Sequence, residues 1–335
     1  MVAVSELSFE DVTVRFGTRR RGVTAVDRVS LTVPDGRVVG LVGESGSGKS
    51  TLARAAVGLS PVTAGQVLLD GQPLGRSQRA GARRRVQLVF QDPYSSLDPR
   101  MTIGASIAEA IPRHRAAGPA GRRAEVVRLL ELVELAPDRA AQFPALLSGG
   151  QRQRVAIARA LAARPDVIIA DEITSALDVS IQGTVLNLVR DLQRQLRLSM
   201  LFISHNLAVV RYVSDYIAVM YLGRIVEFGP ADDVLGDPQH AYTQELLASA
   251  PRSGAAIAAE PAAIADAEPA DPHHPPSGCR FHPRCPIGPL VLEGRDACRD
   301  TEPVGDGHLH LAACHFAGTV PDTTIHHADS MRSTR

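Results

Sequence analysis

Holding a polyphosphate takes backbone N–H groups and one compact cation, and Gly43-Glu44-Ser45-Gly46-Ser47-Gly48-Lys49-Ser50-Thr51 offers both. The run fits G-x-x-x-x-G-K-[ST]. Its glycines let N–H groups turn inward around the phosphates, Lys49 reaches the β- and γ-phosphates, and the Ser50 hydroxyl can hold Mg²⁺. Lys49 is the only lysine in the chain, and the other 35 basic residues are arginine. A planar guanidinium would fit badly among glycines where an ammonium point charge is needed.

Other stretches supply the groups that phosphate chemistry requires. Val167-Ile168-Ile169-Ala170-Asp171-Glu172 is an apolar run ending in two acids, which is how a parallel strand delivers carboxylates to the carboxyl edge of a sheet. Asp171 would complete Mg²⁺ coordination with Ser50, and Glu172, on the opposite side of the strand, could polarise an attacking water; the plain alternative is a solvated turn. His205 ends Met200-Leu201-Phe202-Ile203-Ser204, where it either contacts a γ-phosphate or is merely structural. Leu147-Ser148-Gly149-Gly150-Gln151 opens a helix over 152–163. Ser148 can cap it while Gly149 and Gly150 leave N–H groups open to a second anion, or the run is a simple N-cap with a Gly-Gly turn. Phe16 could stack on an adenine ring or be a plain core residue.

These groups need strands that end together and a helix that begins at the phosphates. Val38–Val42 reads as a buried strand and 50–57 as the helix that follows it. Residues 4–33 alternate apolar and polar, which predicts antiparallel strands around an Arg-rich turn at 17–24. Strand-like pieces follow at 66–69 and 86–90, the second running into Gln91. Residues 101–163 are mostly helical by pattern, with an apolar stripe through Val126, Val127, Leu129, Leu130 and Val133. Ser175-Ala176-Leu177-Asp178 caps a helix to about Arg197, 216–228 reads as a hairpin about Gly223, and a helix runs through Tyr242 and Leu247.

At 335 residues the chain has room for one sizeable domain and a smaller one. Lys+Arg and Asp+Glu are equal at 36 each, which argues against a general nucleic-acid footprint. No apolar run approaches the roughly 18 residues needed to span a bilayer, and the start MVAVSELSFEDVTV does not read as a secretory signal. A cytosolic protein is expected, meeting a membrane only through another protein. Residues 251–277 are Ala/Pro/Gly/Ser-rich and read as a flexible linker. All four cysteines, Cys279, Cys285, Cys298 and Cys314, fall in the 278–317 segment, together with His282, His308, His310 and His315; 318–335 is expected to be disordered.

On these motifs, residues 1–250 resemble an ATP-binding-cassette (ABC) ATPase subunit. The resemblance implies an α/β fold: a P-loop NTPase cassette with a mixed RecA-like sheet core, an antiparallel β subdomain, a helical subdomain at about 94–163 and a small Cys-rich tail. It makes Phe16 the adenine-stacking aromatic, Gly43–Thr51 Walker A, and Gln91 the Q-loop glutamine with a share in Mg²⁺. Leu147–Gln151 matches the signature, Val167–Asp171 Walker B, Glu172 the catalytic base, Ser175–Asp178 the D-loop and His205 the switch histidine. Ile173 departs from the pattern, because the family usually has proline there, and loss of that rigid turn could shift Glu172 slightly. Phe90–Arg100, Val219–Glu227, Pro238–Thr243 and Gly278–Pro286 are similar to the oligopeptide/dipeptide importer ATPases, closer to their F-type subunit; nickel importers share much of this pattern.

The resemblance further implies ATP hydrolysis with Mg²⁺ and a second cassette, identical or paralogous, whose γ-phosphate Ser148 and Gly150 would contact. It implies two membrane permeases to which Gln91 would report nucleotide state, indirectly a solute-binding protein, no nucleic acid partner, and a place at the cytoplasmic face of the cell membrane. The cysteine spacing C-x5-C-x12-C-x15-C lacks the paired C-x2-C of common zinc folds, and disulfides are disfavoured in cytosol. A [4Fe–4S] cluster, zinc and merely buried thiols all stay open. Two rivals stand beside the importer. A cassette acting on nucleic acid or ribosomes usually carries two cassettes or long coiled-coil arms, and neither is here. Against a non-hydrolysing binding subunit stand intact Glu172 and His205.

Overall fold

The computed structural model describes residues 5–18, 21–74, 84–92, 96–112, 118–249, 271, 273–305 and 310–318. Most of the expected linker and the 319–335 part of the expected tail lie outside them, as do His308 and the Pro93, Tyr94 and Ser95 of the importer-like stretch.

The alternation over 4–33 becomes β1 (Leu7–Thr18) and β2 (Arg21–Val33), paired antiparallel, with Leu7, Phe9, Val12 and Val14 buried on β1. β4 (Ala64–Leu69) joins the other side of β1, and β5 (Gln72–Pro73) closes a four-stranded sheet of order β2-β1-β4-β5. The larger sheet takes in β3 (Val38–Val42), β6 (Val86–Val89), β7 (Val167–Asp171), β8 (Ser199–Ile203), β9 (Tyr216–Tyr221), β10 (Arg224–Pro230) and β11 (Leu311–Ala312). Its order is β11-β10-β9-β3-β8-β7-β6. From β9 to β6 every pair is parallel, and β10 and β11 are antiparallel additions, so the sheet is mixed.

Strand period sorts the buried residues onto two faces. Val39, Leu41, Val167, Ile169, Leu201, Ile203, Ala218 and Met220 share a core with the four-stranded sheet and α1 (Lys49–Ala56). Their neighbours Val38, Val42, Ile168, Ala170, Met200, Phe202, Ile217 and Val219 face a second, helix-covered core. That cover begins with α2 (Ile103–Ala110), α3 (Gly118–Leu132) and α4 (Gly149–Ala162). Val126, Leu129, Leu130 and Val133 of the expected stripe are buried and Val127 half-buried. Next come α5 (Val179–Leu196), α6 (Leu207–Val213), α7 (Ala231–Gly236) and α8 (Ala241–Ser249).

The cysteine-bearing segment is more closely integrated than a tail. Phe281, Ile287, Cys279, Cys285 and Cys298 join the helix-covered core, the last on the short α9 (Ala297–Asp300). β11 pairs with β10 through Glu227↔Ala312 and Phe228↔Leu311. Two residues of strand give no readable alternation, which is why the pattern did not announce it.

Candidate active site

β3, buried along its whole length, delivers the chain into the glycine-rich loop. Gly43, Gly46 and Gly48 have φ of 153°, 81° and 107°. A Cβ on Gly43 would lie 2.1 Å from the Met220 carbonyl oxygen, and one on Gly48 2.2 Å from that of Ala25, so no side chain fits at either. Lys49, almost fully buried, donates from Nζ to the carbonyl oxygens of Gly43 at 2.8 Å and Glu44 at 2.7 Å, and to Ser47 Oγ at 3.3 Å. Burial pushes its ammonium pKa down, opposed by the charges of Glu172, Asp171 and Glu44. Ser45 and Gly46 turn outward, and Thr51 follows Ser50 on α1, whose positive end opens to the loop.

Four parallel strands end on this edge. From β7, Asp171 presents Oδ1 to the Ser50 hydroxyl, which donates at 2.9 Å. Burial raises the Asp171 pKa, with the Ser50 bond opposing and Glu172 adding to the rise. A hydroxyl and a carboxylate beside a phosphate loop suit Mg²⁺, which takes one or two protein oxygens and leaves its other positions to water and phosphate. Glu172, in left-handed backbone at φ 48°, accepts at Oε2 from Gln91 Nε2 at 3.0 Å, and its Oε1 lies 3.4 Å from His205 Nδ1. Gln91 follows β6 and His205 follows β8. Ile173 is buried in the core, and Glu172 keeps both neighbours without a proline behind it. Ser175 accepts from Gln91 Nε2 at 3.2 Å and donates to the Glu172 carbonyl at 2.8 Å, a link that sequence reasoning missed although the stretch had been marked.

Phe16 stands apart on β1, 42 % exposed, so it is not a core residue. Ser148 caps α4 in a capping box. Its Oγ accepts from the Gln151 N–H at 3.3 Å, while its own N–H donates to Gln151 Oε1 at 3.0 Å. Gly150 is explained by packing as well, since a Cβ there would lie 2.5 Å from Ile181 Cγ2 of α5. Among the described residues no hydrogen bond joins 148–151 to the 43–51 loop of the same chain. Asp178 occupies the N-cap position of α5, but its side chain makes no capping bond, contrary to the expected cap.

Cys279, Cys285, Cys298 and Cys314 are free thiols lining one cavity with His240, His282 and His315. Burial pushes Cys279 up to about 12 and Cys285 up to about 11, so these thiols are neutral as they stand. Among the described residues no three His, Cys, Asp or Glu side chains group so as to hold a metal ion. Sequence reasoning also missed two residues that reach the phosphate loop from this end of the chain, Tyr242 and Arg284, both of which bond Glu44. Tyr242 was read only as part of a helix and Arg284 only as part of the cysteine-bearing segment, and both also lie in stretches marked for family resemblance.

Residues 26–175 match the ABC transporter family, and 226–288 match the C-terminal region of the oligopeptide/dipeptide transporters. The chain is 48 % identical over 300 residues to a peptide import ATP-binding protein of Brucella abortus, covering 87 % of this chain and 86 % of that one. It is 45 % identical over 303 residues to a peptide ABC transporter ATP-binding protein of Sinorhizobium fredii, covering 90 % and 84 %. Among solved structures, the dimeric ATP-binding cassette MJ0796 bound to ADP and Pi is similar at a TM-score of 0.61 and 29 % identity, over 67 % of this chain and 98 % of that one. CbiO1 of Clostridium perfringens, part of the transporter complex cbiONQ, is similar at 0.61 and 26 % identity, over 69 % and 90 %.

Proposed function

Because this chain belongs to the ABC transporter family as an ATP-hydrolysing subunit, we propose that it powers uptake of oligopeptides or dipeptides through membrane permease subunits. The match to the oligopeptide/dipeptide C-terminal region and the peptide-import relatives support that cargo over nickel or another small solute. No helix among the described residues is long and apolar enough to cross a membrane. In this reading, which its peptide-import relatives support, the chain acts as a peripheral subunit on the cytoplasmic face of the cell membrane, with two permeases, a second cassette and, indirectly, a solute-binding protein.

The observation that carries the chemistry is Glu172, held between Gln91 and His205 at the edge where Lys49, Ser50 and Asp171 meet. The 43–51 N–H groups and Lys49 cradle the β- and γ-phosphates, and exposed Phe16 stacks on the adenine. Ser50 and Asp171, with Gln91 nearby, would hold Mg²⁺, which when bound neutralises charge on the phosphates. Glu172 orients a water and takes its proton as the oxygen bonds to the γ-phosphorus and the bond to ADP breaks. His205 and Gln91 fix that carboxylate. Ser148, Gly149, Gly150, Gln151 and Asp178 serve the ATP of a partner cassette, a reading supported by the exposure of Ser148 and its lack of any bond to its own loop.

In the assembled complex, Glu172→Gln should lower turnover by about 10²–10⁴-fold while ATP is still bound. Unchanged turnover would mean that this site is not the working one.

For the tail, a [4Fe–4S] cluster remains the reading favoured by donor chemistry. Four thiols surround one cavity, and the sulfurs of Cys279, Cys285 and Cys314 accept backbone N–H groups two residues on. Such a cluster takes one thiolate on each of four irons, so its sulfurs stand around a volume instead of converging on a point. Iron analysis and absorbance of anaerobically purified protein test it, and a colourless, iron-free sample overturns it.

A further inference from the structure

Glu44, the first variable residue of the phosphate loop, is gripped on all three of its polar groups. Its backbone N–H donates to the Tyr242 hydroxyl at 2.9 Å. Its carboxylate accepts Arg284 Nη1 at 3.2 Å on one oxygen and Nη2 at 3.1 Å on the other. Its carbonyl accepts Lys49 Nζ at 2.7 Å. The first two partners come from near the other end of the chain, and the third is the loop's own ammonium.

Both distant partners are held rigidly. The Tyr242 ring is fully buried, 4.6 Å from the Tyr221 ring and 5.4 Å from that of Phe281. Its backbone N–H donates to His240 Nδ1 at 3.1 Å. The turn carrying His240 is anchored by buried Glu227, which accepts from the N–H groups of Gln239 at 2.8 Å and His240 at 3.0 Å and meets His310 Nε2 at 2.6 Å. Arg284 lies 5.6 Å over the Phe281 ring and also bonds Glu245. The segment folded around the thiol cavity thus presents a guanidinium and, through Phe281, supports a phenol, both aimed at one loop residue.

A loop with three positive-φ glycines has many conformations to lose when it closes on an anion. Fixing Glu44 at its N–H, carbonyl and carboxylate removes part of that freedom beforehand, and preorganisation of this kind strengthens binding. The groups around Glu172 hang from other strand ends, so the hold on Glu44 bears on affinity and leaves the bond-breaking step alone.

Resting on the ATP-site reading above, we infer that Arg284 and Tyr242 are positioning residues for nucleotide binding. Through them the cysteine-bearing segment braces the phosphate loop at Glu44 and sets its affinity for the β- and γ-phosphates.

The test uses the full chain with its membrane partners and measures ATP titrations, KM, kcat and melting curves for Arg284→Ala, Arg284→Lys, Tyr242→Phe and Lys49→Ala. Arg284→Ala is expected to raise KM about tenfold, the loss of a forked charge-assisted pair, with kcat within about twofold of the parent. Arg284→Lys restores only part, since one ammonium cannot fork two oxygens. Tyr242→Phe raises KM severalfold, and with Arg284→Ala the effects are less than additive because both act on Glu44. Parent-like KM in folded Arg284→Ala and Tyr242→Phe overturns the inference, as does a fall in kcat at unchanged KM. If Arg284→Ala fails to fold, Tyr242→Phe, which loses a single oxygen and keeps its ring, decides alone. Lys49→Ala separates the two levels: if it still binds ATP, the site reading fails, whereas its loss of binding beside a parent-like Arg284→Ala sinks only the brace.

Discussion

Asp171 carries opposite consequences for stability and for chemistry. Its carboxyl is buried and its pKa raised above the ordinary 3.8, chiefly by burial. A raised carboxyl favours folding when protonated, so its contribution is intact below 3.8 and is lost as pH climbs through the raised value. Asp171→Asn, which keeps an acceptor for Ser50 without the charge, should therefore melt higher than the parent at neutral pH. The difference should close as pH falls toward 3.8, and the variant should lose Mg²⁺-dependent hydrolysis; melting curves across pH, with ATPase assays, check both halves. At this scale the sequence was most legible. A glycine-lysine-serine run, two acids after an apolar run and a histidine after another were marked by residue type and spacing, and the structure brings Lys49, Ser50, Asp171, Glu172 and His205 to one sheet edge. Ser148 was legible as a helix cap, and the structure adds the reciprocal bond that makes it a capping box with Gln151.

Between elements, the join of α4 to α5 depends on an absent side chain. Gly150 lies where a Cβ would come within 2.5 Å of Ile181 Cγ2. Gly150→Ala should cost about 1–3 kcal/mol of stability as the helices are forced apart, and Ile181→Ala, which removes the obstructing methyl, should recover most of it. Denaturant melts of the four-member cycle would measure this, and no recovery would exclude packing as the reason for the glycine. The strand ends were readable because period-2 runs stop where polar chemistry begins. The docking of the last segment was not. It rests on Arg284 meeting Glu44 and on a two-residue strand, and neither a contact across some 240 positions nor so short an element leaves any periodicity in the chain. The cysteines were visible as a group, but nothing in their spacing told that Cys279, Cys285 and Cys298 would sit inside the helix-covered core.

On the reading proposed above, the whole molecule offers half of each of two ATP sites, the phosphate loop on one edge and the self-capped 148–151 run, exposed at Ser148, elsewhere. ATP that is bound but not split should therefore hold two cassettes together, as any ligand shared across an interface favours assembly. Glu172→Gln with ATP is expected to elute as a dimer, alone or with its paralogue, and Lys49→Ala as a monomer; scattering-coupled chromatography reads both. The two-residue strand at Leu311–Ala312 has a practical consequence for anyone trimming this protein. Cutting the chain after Ser249, where the nucleotide-binding motifs are all complete, would strip the cover from β10 and leave Glu227 buried without its imidazole partner. An uncapped sheet margin pairs readily with its own kind, so the shorter product should clump on concentration while the longer one stays dispersed.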